Sequence, residues 1–92
     1  MNNITIGDLK KLIGSVNIID IRNRNIYMMG NIPTSINIEY INLLMEPGKY
    51  LNKDTRYYIY CMNGYNSSNL CNNLRKKGYD VVNIVGGYNN YL

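Results

Sequence analysis

Along these 92 residues the apolar positions keep changing period, and no stretch holds one period long enough to form a long helix. Val16-Asn17-Ile18-Ile19-Asp20-Ile21 is a brief apolar run bounded by polar residues, which suits a buried parallel strand. Arg56-Tyr57-Tyr58-Ile59-Tyr60 is rich in strand formers, Tyr79 to Val85 reads as a last strand, and Ser35 to Ile38 as a short one. Helical spacing lies between them. Leu9, Leu12 and Ile13 follow a Thr5/Asp8 capping signal and stop at Gly14. Ile41, Leu44 and Met45 precede a break at Pro47-Gly48, and Ser67, Leu70, Cys71 and Leu74 stripe a helix from Ser67 to Lys77 that Gly78 closes. The polar stretch holding Tyr27, Met28 and Met29, up to Gly30, reads as irregular. Strands alternating with helices imply an α/β fold: a small parallel sheet of four or five strands, flanked by helices on both faces through right-handed crossovers. Sites in such sheets lie beyond the carboxyl ends of the strands.

The length fits one domain, residues 1–92, with no repeat or linker inside it. Hydrophobic residues at 46% and charged residues at 17% exclude a disordered chain. The abundance of Asn, Ile and Tyr, with no Ala or Gln, fits AT-biased codons and a bacterial source. There is no histidine, which removes Ser-His and Cys-His nucleophile pairs and every His-ligated metal site. Two cysteines make neither a zinc site nor a disulfide framework. No basic segment leads into an apolar one at Met1-Asn2-Asn3-Ile4, and no apolar run approaches the roughly 20 residues that span a bilayer. The expectation is a cytoplasmic protein with no membrane partner. The net charge of +4 suits small anions, but Lys10-Lys11 and Arg75-Lys76-Lys77 read as solvated helix faces, and no nucleic-acid motif accompanies them.

What chemistry remains is concentrated where the tyrosine-rich strand ends, at Cys61-Met62-Asn63-Gly64-Tyr65-Asn66-Ser67. A cysteine between a strand end and a helix N-terminus is surrounded by backbone N–H groups that have no partner within the helix. Gly64 permits the positive φ that curls such a loop. Amides converging on the sulfur, together with the helix dipole, favour thiolate over thiol with no histidine base. The competing reading is a cysteine that merely finishes a buried strand. Cys71 belongs to the apolar face with Leu70 and Leu74 and reads as core. Tyr57, Tyr58 and Tyr60 read as strand packing, Tyr65 as lining a pocket, and Met28 and Met29 as fillers of core gaps.

The chain resembles the rhodanese-like sulfurtransferases over nearly its whole length. Ile19-Asp20-Ile21-Arg22 is similar to that family's Asp-x-Arg segment after an early strand, and Gly30-Asn31-Ile32-Pro33-Thr34-Ser35-Ile36-Asn37-Ile38 to its Gly-His-Ile-Pro-Gly-Ala-x-Asn-Ile signature. Tyr60-Cys61-Met62-Asn63-Gly64-Tyr65-Asn66-Ser67-Ser68 resembles its Cys-x-x-Gly-x-x-Ser loop, and Gly78 to Tyr88 its closing strand and Gly-Gly turn, with Tyr91 where the family often has Trp. Two departures stand out: Asn31 replaces the usual His, and Asn66 holds a loop position that is often Arg.

The resemblance implies sulfur transfer by double displacement. Cys61 is the nucleophile, and the loop amides of Met62, Asn63, Gly64, Tyr65, Asn66 and Ser67 are the candidate donors to a persulfide. Asp20 and Arg22 are supporting residues: Arg22 either pairs with Asp20 or approaches the pocket, and the structural role is favoured because an Asp-x-Arg at a strand end fixes nearby loops. The implied partners are a small anionic sulfur donor such as thiosulfate and a thiol, protein-thiol or cyanide acceptor, with no cofactor and no metal. Two other classes compete. A phosphatase or arsenate reductase needs an arginine at the position held here by Ser67 to grip the oxyanion bidentately. A binding or regulatory module of the same fold needs no competent loop, and Asn31 and Asn66 are the residues that speak for it.

Overall fold

A computed structural model describes all 92 residues. Five strands, β1 (Asn3–Ile4), β2 (Asn17–Asp20), β3 (Ile36–Asn37), β4 (Arg56–Tyr60) and β5 (Asp80–Ile84), form one sheet in the order β1-β5-β4-β2-β3. Every pairing is parallel, as the alternation of periods requires. The helices are α1 (Ile6–Lys10), α2 (Arg24–Met29), α3 (Tyr40–Met45), α4 (Pro47–Tyr50), α5 (Tyr65–Lys76) and α6 (Gly87–Tyr91).

Side chains of successive strand residues point to opposite faces, and the core divides accordingly. Ile19, Ile59, Cys61 and Val81 join Leu43 of α3 and Leu70, Cys71 and Leu74 of α5 on one face. Ile18, Tyr58, Tyr60, Val82 and Ile84 join Leu9 of α1 and Ile32 on the other, where Tyr88 and Tyr91 of α6 also pack. The central pair β4 and β2 therefore reads as continuous apolar sequence because both of its faces are covered.

Several expectations need correction. Residues 24–29, read as irregular, form α2, whose N-terminus is capped by the Asn23 side chain accepting from Ile26 N at 3.0 Å. No residue of α2 is buried, so there was no apolar stripe to reveal it. Met28 and Met29, expected to fill core gaps, stand 67% and 84% exposed on it. In α3 the buried residue is Leu43, while Ile41 and Met45 face solvent, so the helix is present but turned. Pro47-Gly48 opens α4 rather than only breaking the chain, since proline is tolerated at a first helical turn. α5 begins at Tyr65, two positions before Ser67, and β1 lies in a segment where no element is expected from the sequence.

Candidate active site

β4 delivers Cys61 to the carboxyl end of the sheet, between its neighbours β2 and β5, and the chain then curls at once. Gly64 is the N-cap of α5 and takes the left-handed conformation at φ 91°. A Cβ there would stand 2.8 Å from Gly86 N, so the loop packs directly on the Gly86-Gly87 turn that follows β5. α6 closes the loop from behind: Tyr88 N donates to Cys61 O and Asn89 N to Met62 O, each at 2.9 Å.

This curl turns two amides onto the sulfur. Gly64 N donates to Cys61 Sγ at 3.2 Å and Ser67 N at 3.4 Å. The thiol in turn reaches Ser67 Oγ at 3.4 Å and, more distantly, Asn63 Oδ1 at 3.9 Å. Cys61 is 5% exposed. Gly64 is the N-cap and Ser67 lies in the first turn of a helix of 12 residues, whose dipole reinforces both amides. Backbone donors aimed at a sulfur stabilise its anionic form without any ionisable partner.

Of the six candidate amides, then, two meet the sulfur. Tyr65 N is taken by Asn63 Oδ1 at 3.0 Å, which removes it from the expected set. The amides of Met62, Asn63 and Asn66 have no acceptor within the protein. The Tyr65 side chain is 71% exposed at the rim and lines no pocket, contrary to expectation. The largest depression, about 300 Å³, is bounded by Arg24, Asn37, Glu39 and Tyr50 and by no loop residue. None of the surface depressions is formed by the Cys61–Ser67 loop, within which Cys61 itself is buried.

Asp20 and Arg22 form a buried pair beneath the strand ends. The guanidinium grips the carboxylate through Nε and Nη2, the shortest contact being 2.6 Å, and Nη2 also donates to Gly30 O at 2.6 Å. Arg22 lies over the Tyr88 ring, 4.2 Å from its centroid, and makes no contact with Sγ. Burial opposes its charge, but the Asp20 hydrogen bonds and charge outweigh that and raise its pKa further. Tyr60 is spent structurally as well: its hydroxyl accepts from Ile32 N at 3.0 Å and meets Ser35 Oγ at 3.2 Å. Burial drives its pKa well above the usual phenol value. Cys71 lies fully buried in α5, and burial pushes its thiol up to about 12. Asn31 caps the end of α2 through Nδ2 to Tyr27 O at 3.0 Å, which places it in a structural role.

Sequence reasoning missed one residue. Asn83 of β5 is buried, and Ser67 Oγ donates to its Oδ1 at 2.5 Å. A lone polar residue inside the apolar run Val81-Val82-Asn83-Ile84 was the available signal.

The rhodanese-like domain family model matches residues 5–92, nearly the entire chain. The chain belongs to the rhodanese-like domain family. YtwF of Bacillus subtilis (strain 168), which carries a provisional sulfurtransferase name, is 33% identical over 70 residues, covering 76% of this chain and 67% of that one. SSP1007 from Staphylococcus saprophyticus superposes with a TM-score of 0.91 at 33% identity, over 100% of this chain and 94% of that one. A rhodanese-like domain protein from Staphylococcus aureus gives 0.87 at 31% identity, over 100% and 92%. This rhodanese-like domain therefore shares the five-stranded parallel architecture of its relatives, with Cys61 at the end of a central strand. No helix is long and apolar enough to cross a membrane.

Proposed function

We propose that this rhodanese-like domain transfers sulfane sulfur through a persulfide on Cys61. The observation that carries the reading is the pair of amides, Gly64 N and Ser67 N, directed onto Cys61 Sγ at the N-terminus of α5. In the first displacement the Cys61 thiolate attacks the outer sulfur of thiosulfate or a similar anionic donor. The donor's S–S bond breaks and sulfite leaves with the electron pair, so Cys61 carries a persulfide. In the second, a thiolate or cyanide attacks the terminal sulfur, and the Cys61 thiolate is released.

The loop supplies what both steps need. The negative charge stays on sulfur throughout, so fixed donors stabilise it at each stage without a proton transfer. The unengaged amides of Met62, Asn63 and Asn66 are the remaining donors for the added sulfur. Asp20 and Arg22 act by holding the floor on which α6 and the loop rest. A phosphatase reading is disfavoured by Ser67, a neutral hydroxyl where an oxyanion needs a guanidinium.

The test is an intact mass after incubation with thiosulfate. A gain of one sulfur, localised to Cys61 and removed by cyanide or dithiothreitol, is expected. No adduct, with the fold intact, overturns sulfur transfer from thiosulfate and favours a binding module.

A further inference from the structure

We infer that Asn83 is a positioning residue for Cys61, acting through Ser67 as an uncharged hydrogen-bond relay that reverses direction when the sulfur becomes anionic. The inference deepens the reading of Cys61 as a sulfur nucleophile and rests on it.

A serine hydroxyl has one hydrogen to give and two lone pairs to receive with. That of Ser67, wholly buried, gives its hydrogen to Asn83 Oδ1 at 2.5 Å, with Gly64 O a more distant acceptor at 3.3 Å. It receives from the Cys61 thiol at 3.4 Å. Asn83 passes the direction on, its Nδ2 donating to Asn3 Oδ1 at 3.4 Å. The chain thus runs from sulfur to Ser67 to Asn83 to Asn3, which is the order that suits a neutral thiol.

A thiolate or persulfide anion has no hydrogen to offer and needs the one Ser67 holds. Ser67 releases it only if Asn83 stops accepting. A carboxamide is suited to this, because its acceptor and donor ends have nearly the same shape. A half-turn of the Asn83 amide brings Nδ2 to Ser67 Oγ and Oδ1 toward Asn3, whose exposed amide turns likewise. The chain then runs from Asn3 to Asn83 to Ser67 to sulfur. Every buried polar atom keeps a partner in both states, so neither state incurs the cost of an orphaned group. The sulfur loses its own proton to solvent, and no member of the relay changes charge.

The placement supports this. Asn83 stands on the same face of β5 as Val81, which packs against α5, and interrupts an apolar run opposite the one buried hydroxyl of α5, that of Ser67. The titratable and charged side chains of the elements around the loop are Arg56, Tyr57, Tyr58 and Tyr60 of β4, Asp20 and Arg22 at the end of β2, Tyr40 of α3, Asp80 of β5, Tyr65, Cys71, Arg75 and Lys76 of α5, and Tyr88 and Tyr91 of α6. None is a hydrogen-bond partner of Sγ, which leaves Ser67 as its only hydroxyl contact.

The test is the rate of Cys61 alkylation by iodoacetamide against pH, read by peptide mass. An aspartate accepts but, once ionised, does not donate, so Asn83→Asp locks the Ser67 hydrogen away from the sulfur. It should slow alkylation at neutral pH by about tenfold or more, the equivalent of one pK unit. If the effect travels through Ser67, the same change in a Ser67→Ala background should cost less than about threefold, the shortfall measuring the coupling. Equal losses in both backgrounds, or no loss in either, would overturn the relay. Should Asn83→Asp fail to fold, the wild type decides: the Asn83 side-chain amide resonances should shift with the midpoint of Cys61 ionisation and lose that transition in Cys61→Ser. Resonances indifferent to Cys61 would also overturn it. Neither readout needs sulfur loading. A protein that takes no sulfur yet passes them loses the proposed activity and keeps the relay; one that loads sulfur with an indifferent Asn83 loses only the relay.

Discussion

The backbone of Tyr88 donates to the carbonyl oxygen of Cys61 at 2.9 Å, tying the first turn of α6 to the residue at the centre of the site. The contact requires Gly87 just before it. Gly87 has φ 59°, and a Cβ there would collide with Cys61 O and crowd the Met62 carbonyl at 2.9 Å. The closing Gly-Gly turn is therefore part of the candidate site in space, though 26 positions separate Gly87 from Cys61.

Gly87→Ala should accordingly impair both stability and site. The left-handed conformation alone costs a residue with a side chain about 1–2 kcal/mol, and the collision adds to it. A drop of more than about 2 kcal/mol in urea unfolding is expected. Slower alkylation of Cys61 should accompany it in the fraction that remains folded. A variant as stable as wild type would show that the turn relaxes away from the loop.

The two cysteines should behave as opposites. Cys71 is held protonated by burial, with its pKa pushed up to about 12, so iodoacetamide at mildly acidic to neutral pH should label Cys61 and spare it. Cys71→Ser should leave sulfur loading nearly intact. A stability consequence follows from linkage. Because the folded pKa lies above the unfolded one, the folded state retains a proton that the unfolded state releases. The stabilisation is complete below the unfolded value of 9.0 and is lost as pH climbs toward about 12. Unfolding midpoints measured across that interval should decline, and Cys71→Val should flatten the slope.

How far the sequence revealed this arrangement depended on periodicity. β4 was readable to the residue because Arg56 to Tyr60 are strand formers, all but the first of which meet a covered face. α5 was visible through Leu70, Cys71 and Leu74, but its start was hidden, since Gly64 caps it by backbone conformation and not by a capping side chain. α2 had no buried residue and so no pattern. In the site, Cys61 stood out at the strand end and Gly64 as the residue that lets the loop curl, while Ser67 was carried by the resemblance to the Cys-x-x-Gly-x-x-Ser loop. The capture of Tyr65 N by Asn63, and the approach of Asn83 across the sheet, are tertiary events that no local pattern encodes.

Arg22 should matter for folding more than for chemistry. Its guanidinium neutralises the fully buried Asp20, holds Gly30 O and lies against Tyr88. Arg22→Met strands a buried carboxylate, a change that typically costs about 3–5 kcal/mol. The double variant Asp20→Asn/Arg22→Met removes the stranded charge and should recover part of that loss in urea unfolding. If the single variant unfolds at the wild-type midpoint, the pair is not a structural support.

The final expectation concerns charge at the site itself. The chain has no histidine, and Cys61 to Ser67 contains no cationic side chain, so the donors to Sγ are the backbone amides of Gly64 and Ser67. Helix-end dipoles contribute roughly 0.3–2 kcal/mol, and each hydrogen bond to a charged group about 1.5–3 kcal/mol. None of these titrates. The rate of sulfur transfer from thiosulfate should therefore rise with pH along one limb, set by thiolate formation, with no descending limb near neutrality. Asn66, exposed on the first turn of α5, is where a cation is missing. Asn66→Arg places a guanidinium near the path of an incoming dianion and should raise kcat/KM for thiosulfate, with the gain shrinking as salt is added. A lower rate in Asn66→Arg, at any ionic strength, would mean that a neutral amide at this position is selected by the donor. Thiosulfate would then be the wrong one.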